Sequence, residues 1–251
     1  MKKIFIDAGH NDSGWNTGAA ANGMREQDIT FEVSKYLSEI FNLAGFETKL
    51  SRPTKQTNLG TDNASSINAR WQMSNIWGAD YFISIHVNAG GGTGAETIYY
   101  REDALPLART MQDVYSERMG LRNRRIWFRD NVGVVRWTNC PSILLELAFI
   151  DSPASNPDVA ILQSRRKEMA QAIADGFFTY FKMDIKSQKE EILTMEKRYN
   201  TINELPSWAT DTIRKLVEKK ILQGDDKGLN LSEDMLRIFV IHDRAGIYNN
   251  I

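Results

Sequence analysis

Three histidines and a single cysteine among 251 residues leave few ways to assemble a reactive centre. Cys140 alone excludes an intramolecular disulfide framework and a cysteine-rich metal site, so any metal must be held by histidine and carboxylate. His10 ends the apolar run that opens the chain, and His86 lies within Ser84-Ile85-His86-Val87-Asn88-Ala89, at the close of a second such run. In α/β sheets ligands bind beyond the carboxyl ends of the strands. One histidine in that place reads most simply as a hydrogen-bonded loop or core residue; two favour a shared metal. Glu26, at the start of the first helix, offers a third donor, because that helix returns along the strands to the same rim. A carboxylate there also suits the helix macrodipole without any metal. Glu146 is the sharper anomaly, since it interrupts Ile143-Leu144-Leu145-Glu146-Leu147-Ala148-Phe149-Ile150 and is costly to bury ionised and unpaired. Either it faces a cation-bearing cleft as a general base, or it forms a structural ion pair with an arginine such as Arg70.

These residues need elements to position them, and hydrophobic periodicity supplies those elements. Residues 2–8 form a short apolar run that ends in the turn-prone Gly9-His10-Asn11-Asp12-Ser13-Gly14. Residues 27–44 carry Ile29, Val33, Tyr36, Leu37, Ile40 and Leu43 at helical spacing, with Gly45 as a stop. Strands are expected over residues 46–51, 81–87, 96–100 and 142–150, and helices over 63–76, 105–119 and about 160–181. Arg122-Asn123-Arg124-Arg125, with Trp127 and Phe128, reads as a basic, aromatic loop. Alternation of this kind predicts an α/β sheet covered by helices on both faces.

Composition sets the outer bounds. At 42% hydrophobic and 25% charged the chain has the make-up of a globular protein. With 31 Lys+Arg against 32 Asp+Glu, nucleic acid is excluded as a partner held mainly by charge. No stretch approaches the ~18 consecutive apolar residues of a membrane span. Met1-Lys2-Lys3 is followed by too short an apolar run for an export signal, so the product is expected in the cytoplasm of the producing cell. Composition shifts after Lys182: residues 1–182 are expected as the main domain, 183–198 as a linker, and 199–251 as a small, mostly helical module. In that module residues 210–220 and 232–241 read as helices, the second capped by Ser232.

The blocks Phe5-Ile6-Asp7-Ala8-Gly9-His10, Arg25-Glu26-Gln27-Asp28, Ser84-Ile85-His86-Val87-Asn88-Ala89, Glu96-Thr97-Ile98-Tyr99-Tyr100 and Leu145-Glu146-Leu147-Ala148-Phe149-Ile150 resemble, in family order, the zinc-dependent N-acetylmuramoyl-L-alanine amidases of the Amidase_3 family, clostridial phage endolysins among them. The resemblance spans nearly all of residues 1–182. It implies a twisted, largely parallel sheet of about six strands flanked by helices. It also implies one zinc ion bound by His10, Glu26 and His86, with Glu146 as the catalytic carboxylate and peptidoglycan as the substrate. The family often has Pro where this chain has Ala8, and Gly where it has Asn11 and Ala148. Asn88 and Glu96 fall in matched blocks near His86 and are candidate substrate contacts. Arg122, Arg124, Arg125 or Arg129 either hold stem-peptide carboxylates or form an ordinary solvated cluster.

The tail blocks Tyr199-Asn200-Thr201-Ile202, Leu205-Pro206-Ser207-Trp208-Ala209 and Leu229-Asn230-Leu231-Ser232-Glu233-Asp234-Met235-Leu236-Arg237 resemble a small module appended to wall hydrolases of clostridia and their phages. Its expected role is wall targeting or self-association, the alternative being a passive stabilising cap on the main domain. The codons of Lys189-Glu190-Glu191 can read as a purine-rich ribosome-binding sequence spaced for a start at Met195, which would yield a separate tail fragment able to join the full chain; the alternative is an ordinary charged linker. An amidase without an export signal fits a phage or prophage endolysin released through a membrane lesion, and also a mother-cell autolysin. The alternatives are a zinc peptidase cutting within the stem peptide and a non-catalytic wall-binding protein.

Overall fold

The computed structural model describes residues 1–184, 198–226 and 228–248; the Met195 start and nearly all of the expected linker lie outside them. The chain divides into two compact units, Met1–Lys189 and Glu190–Ile251.

In the first unit the elements run β1 (Lys3–Ala8), β2 (Ala20–Ala21), β3 (Met24–Arg25), α1 (Glu26–Leu43), β4 (Glu47–Leu50), α2 (Asn63–Trp77), β5 (Tyr81–Asn88), β6 (Ala95–Tyr99), α3 (Leu105–Met119), β7 (Asn123–Phe128), α4 (Gly133–Arg136), β8 (Ser142–Phe149), α5 (Pro157–Ser164) and α6 (Arg166–Tyr180). Six strands form one sheet in the order β4-β1-β5-β8-β6-β7. The first four are mutually parallel; β6 runs antiparallel to β8, and β7 parallel to β6. The sheet is therefore largely parallel, as the alternating pattern implies.

The central strands β1, β5 and β8 are buried almost throughout, as continuous apolar runs covered on both faces must be. On one face Phe5, Phe82 and Leu144 meet Val134 and Val135 of α4 and Ile67, Met73 and Trp77 of α2. On the other, α6 packs between α1 and α3, with the rings of Phe41 and Phe177 5.1 Å apart. The capping box of Asp62 and Ser65 starts α2, and Gly78, at φ 69°, ends it in the left-handed conformation that glycine adopts without strain.

Three features depart from the periodicity. The segment expected as a basic loop is the edge strand β7, whose burial is so slight that it shows no apolar alternation. The last helix of the domain is two helices, because Arg165 leaves helical geometry at φ −114° and ψ 34° between α5 and α6. A two-residue ribbon, β2 with β3, also precedes Glu26. Its turn is Asn22-Gly23, with φ 50° and 71°, the mirror-image turn that such a dipeptide favours.

The second unit contains α7 (Ser207–Glu218) and α8 (Glu233–Arg244), with isolated bridges between Tyr199 and Leu231 and between Asp225 and Gly228. Leu205, Ala209, Ile213, Leu216, Leu236 and Val240 form its core. Ser232 caps α8 by accepting from the Met235 N–H, and Lys215 pairs with Asp243 across the two helices at 2.6 Å. His242 approaches the Tyr248 hydroxyl at 3.1 Å.

Candidate metal centre

Three elements deliver three donors to one point beyond the sheet. β1 ends at Ala8, and the chain turns through Gly9 to His10, which adopts φ 65°, a strained conformation for a residue with a side chain. Gly9 is required by close approach: a Cβ there would lie 2.6 Å from Cε1 and Nε2 of His86. β5 supplies His86, and the first residue of α1 supplies Glu26. His10 Nε2 lies 3.0 Å, and His86 Nδ1 3.1 Å, from Glu26 Oε1. The two imidazoles meet edge to face at 4.7 Å. One ligand atom from each of the three residues lies within 4.8 Å of the others. The donor chemistry, two imidazoles and a carboxylate without thiolate, fits a borderline divalent ion such as zinc.

The electrostatics prepare the same donors. Burial alone would raise the Glu26 carboxyl, but hydrogen bonds from His10 and His86 outweigh it and hold the group well below the carboxylate range. The backbone N–H groups of Val87 and Ala19 donate to its two oxygens at 2.9 Å each, fixing their directions. Burial lowers the pKa of His86 despite Glu26 beside it, which favours the neutral imidazole that a metal needs. The Asn16 carbonyl stands 3.3 Å from His10 Nδ1 and sets the ring's orientation. Gly18 makes room in turn, since a Cβ there would lie 2.7 Å from Glu26 Oε2.

Glu146 sits in β8 directly beside His86 in the strand register, the one position of that strand that is not fully buried. Its Oε2 is enclosed and has no hydrogen-bond partner. Burial, reinforced by the charges of Glu26 and Glu96, pushes its pKa up to about 8. The ion pair with Arg70 weighed from the sequence is not made. Arg70 instead binds Asp7, near the end of β1, at 2.7 Å, both side chains being almost wholly buried. Asp7 also accepts from Ser84 at 2.6 Å, and Arg70 donates to the carbonyls of Ala8 and His10. This clamp fixes the strand end that carries His10, and nothing in local periodicity announces it.

Two of the three family departures, Ala8 and Asn11, have visible roles. The Ala8 N–H donates to Ser51 Oγ at 3.0 Å, a bond proline cannot make. Asn11 is buried, accepts from the Leu59 N–H and Arg70, and donates to the Trp15 and Leu59 carbonyls, so it ties the His10 loop to its neighbour. Ala148 is fully buried in β8. Among the other candidates, Asn88 Nδ2 donates to Glu96 at 3.2 Å and Arg124 pairs with Glu96 at 2.6 Å. Arg122 and Arg125 are exposed, and Arg125 lines a separate hollow with Arg109 and Asp113.

Fold and site together define an α/β protein with a His–Glu–His metal-binding arrangement at the rim of a largely parallel sheet and a protonatable carboxylate alongside. Residues 4–178 match the Amidase_3 family model, described as N-acetylmuramoyl-L-alanine amidase, and the chain belongs to that family. N-acetylmuramoyl-L-alanine amidase CwlM of Bacillus licheniformis is 35% identical over 188 residues, which cover 70% of this chain and 69% of that one. The endolysin of Bacillus phage SPP1 is 31% identical over 199 residues, covering 74% and 68%. The catalytic domain of CwlV, an amidase from Bacillus (Paenibacillus) polymyxa var. colistinus, superposes with a TM-score of 0.64 at 27% identity over 73% of this chain and 100% of that domain.

Proposed function

We propose that the protein hydrolyses the amide joining N-acetylmuramic acid to L-alanine in peptidoglycan, with one zinc ion held by His10, Glu26 and His86. The observation that carries the reading is the convergence of those three donors beside the unpartnered oxygen of Glu146. When bound, zinc supplies Lewis-acid polarisation of the amide carbonyl and lowers the pKa of water. Glu26 contributes the negative charge of the site, and neutral His86 its lone pair. Glu146 accepts the proton of the attacking water and returns it to the departing L-alanine nitrogen. Its unengaged Oε2 and elevated pKa suit a group that must both take and give a proton near neutrality.

A phage or prophage endolysin is the biological setting this reading favours, supported by the likeness to the phage SPP1 endolysin. Such an enzyme accumulates in the cytoplasm until a membrane lesion releases it to the wall. No described helix is long and apolar enough to cross a membrane. Residues 1–182 then form the catalytic domain and residues 199–251 a wall-attachment module. Self-association of that module is a second reading, favoured by Met235, Ile238 and Ile241, which α8 leaves exposed.

Mass spectrometry of peptidoglycan digested by the zinc-loaded protein tests the reaction, with Glu146→Ala in parallel. New L-alanine amino termini and glycan strands freed of stem peptides are expected from the parent. The variant is expected to keep its zinc and lose ~10²-fold or more in rate. Cuts inside the stem peptide would transfer the protein to the peptidases, and normal activity in the variant would remove Glu146 from the mechanism.

A further inference from the structure

Strand register places a row of functional side chains across four strands. β5 pairs His86 with Glu146 of β8, and β8 pairs Glu146 with Glu96 of β6, so these three leave the same face of the sheet along one transverse line. β7 extends the row through an irregularity. Its ladder with β6 steps from Ala95–Asn123 to Thr97–Ile126, two residues on one strand against three on the other. Such a bulge re-aims side chains. Arg125 absorbs the distortion at φ 79°, a left-handed conformation rare for a residue with a side chain, and lies with Ile126 in a hollow beside α3.

Arg124 is thereby turned to the site face. Its Nε donates to Glu96 Oε1 at 2.6 Å, and its guanidinium carbon stands 4.8 Å from the centre of the Phe149 ring. Asn88 donates to the other oxygen of Glu96, so the carboxylate that anchors the arginine is itself held at both ends. Guanidinium has five N–H donors, and only the one at Nε is engaged by protein among the described residues. The terminal fork is left open on a side chain 29% exposed. A fork fixed at its root, stacked on an aromatic ring and open at its tip is a receptor for a planar carboxylate.

We infer that Arg124 binds the free α-carboxylate of the second stem-peptide residue, an inference that rests on the amidase reading above. Adjacent strands lie ~4.8 Å apart, so a guanidinium tied to Glu96 stands one strand spacing from Glu146 and two from His86, or ~5–10 Å from the point of cleavage. In an extended peptide the second residue lies ~7 Å from the cut amide. In peptidoglycan that residue is a D-glutamate joined through its γ-carboxyl, which leaves its α-carboxylate free unless it is amidated. Arg124 would then distinguish the free acid from the amide, and with it one wall chemistry from another.

The test uses two soluble muropeptides, N-acetylmuramoyl-L-alanyl-γ-D-glutamyl-L-lysine and its counterpart with the glutamyl α-carboxyl amidated, with the zinc-loaded full chain and its Arg124→Gln and Arg124→Lys variants. The parent is expected to prefer the free acid by ~10-fold or more in kcat/KM, the factor a charge-assisted hydrogen-bonded pair supplies. In Arg124→Gln that ratio should fall to about one, through a raised KM for the acid, and Arg124→Lys should restore part of it. Equal losses on both substrates would make Arg124 a structural prop, and an unchanged preference would place the carboxylate elsewhere; either overturns the inference. A parent protein that cleaves neither muropeptide overturns the amidase reading, and the inference falls with it.

Discussion

Glu146 keeps a carboxyl group where its charge is disfavoured, by burial first and then by the neighbouring Glu26 and Glu96. That arrangement has a stability signature separate from catalysis. The folded pKa, about 8, stands above the 4.5 of the free group, so the native state binds the proton more tightly than the unfolded chain. In the metal-free protein the cost of Glu146 is therefore absent below about pH 4.5, grows as pH rises through the interval, and is complete above pH 8. Glu146→Gln, which resembles the protonated side chain, should stabilise the metal-free protein at pH 8.5 by several kcal/mol, about 1.4 kcal/mol for each unit by which the pKa is raised, and leave it nearly unchanged at pH 4. Urea unfolding in the presence of a chelator at the two pH values measures this; equal stability at pH 8.5 would mean that solvent reaches the carboxylate freely. His86→Ala acts on a different quantity. It should abolish stoichiometric zinc binding, read by metal analysis after dialysis, whereas Glu146→Gln should not.

At the scale of elements, the site depends on how the end of β1 is gripped from α2. Arg70 joins Asp7, Ala8, His10 and Asn11 through its two terminal nitrogens, and Asp7 and Arg70 are 0% and 2% exposed. Removing one partner of such a pair strands the other charge in the core. Arg70→Met should therefore lower stability by about 3–5 kcal/mol. It should also weaken zinc binding by ~10-fold or more, because the His10 carbonyl loses its donor and the loop its orientation. Calorimetric zinc titration under conditions where the variant remains folded measures the second effect; unaltered affinity would show that Gly9 and Asn16 suffice to place His10.

The clamp marks the limit of what the sequence discloses. Strands β1, β5 and β8 and helices α1 and α3 follow from apolar periodicity because each buries a continuous stripe or both faces, whereas α2 buries Ser66, Arg70 and Ser74 and leaves Ile76 exposed. Position singled out the four residues of the proposed reaction, two histidines where strands end, a glutamate opening a helix and a glutamate inside an apolar strand, but left each a structural alternative; the roles proposed for them come from the family resemblance. β7 was not legible, since a half-exposed edge strand carries no alternation, and the bulge that turns Arg124 inward depends on a register set by β6. The Asp7–Arg70 pair joins residues 63 positions apart, a distance over which no local pattern speaks. Asn22-Gly23 was a readable turn signal that the flanking two-residue strands were too short to support.

At the scale of the whole molecule, the two units carry different burdens. The sheet, its covering helices and every residue of the metal centre lie in Met1–Lys189. Glu190–Ile251 closes its own core around Ile213, Leu216, Leu231 and Leu236, and none of its described residues is among the donors of the cluster. The chemistry should therefore survive without the tail, while a polymeric substrate gives a second binding site a reason to exist: it raises the local concentration of the enzyme without altering the catalytic step. A chain ending at residue 184 is expected to bind one zinc and to cleave soluble muropeptides with kcat/KM within about twofold of the full protein. Its binding to intact cell walls, measured by co-sedimentation, should weaken by ~10-fold or more, the lower end of what a tethered second site supplies. Unchanged sedimentation would move the tail's role from the wall to the protein itself, where light scattering would then find the full chain associated through the exposed Ile238 and Ile241 face of α8 and the truncated chain monomeric.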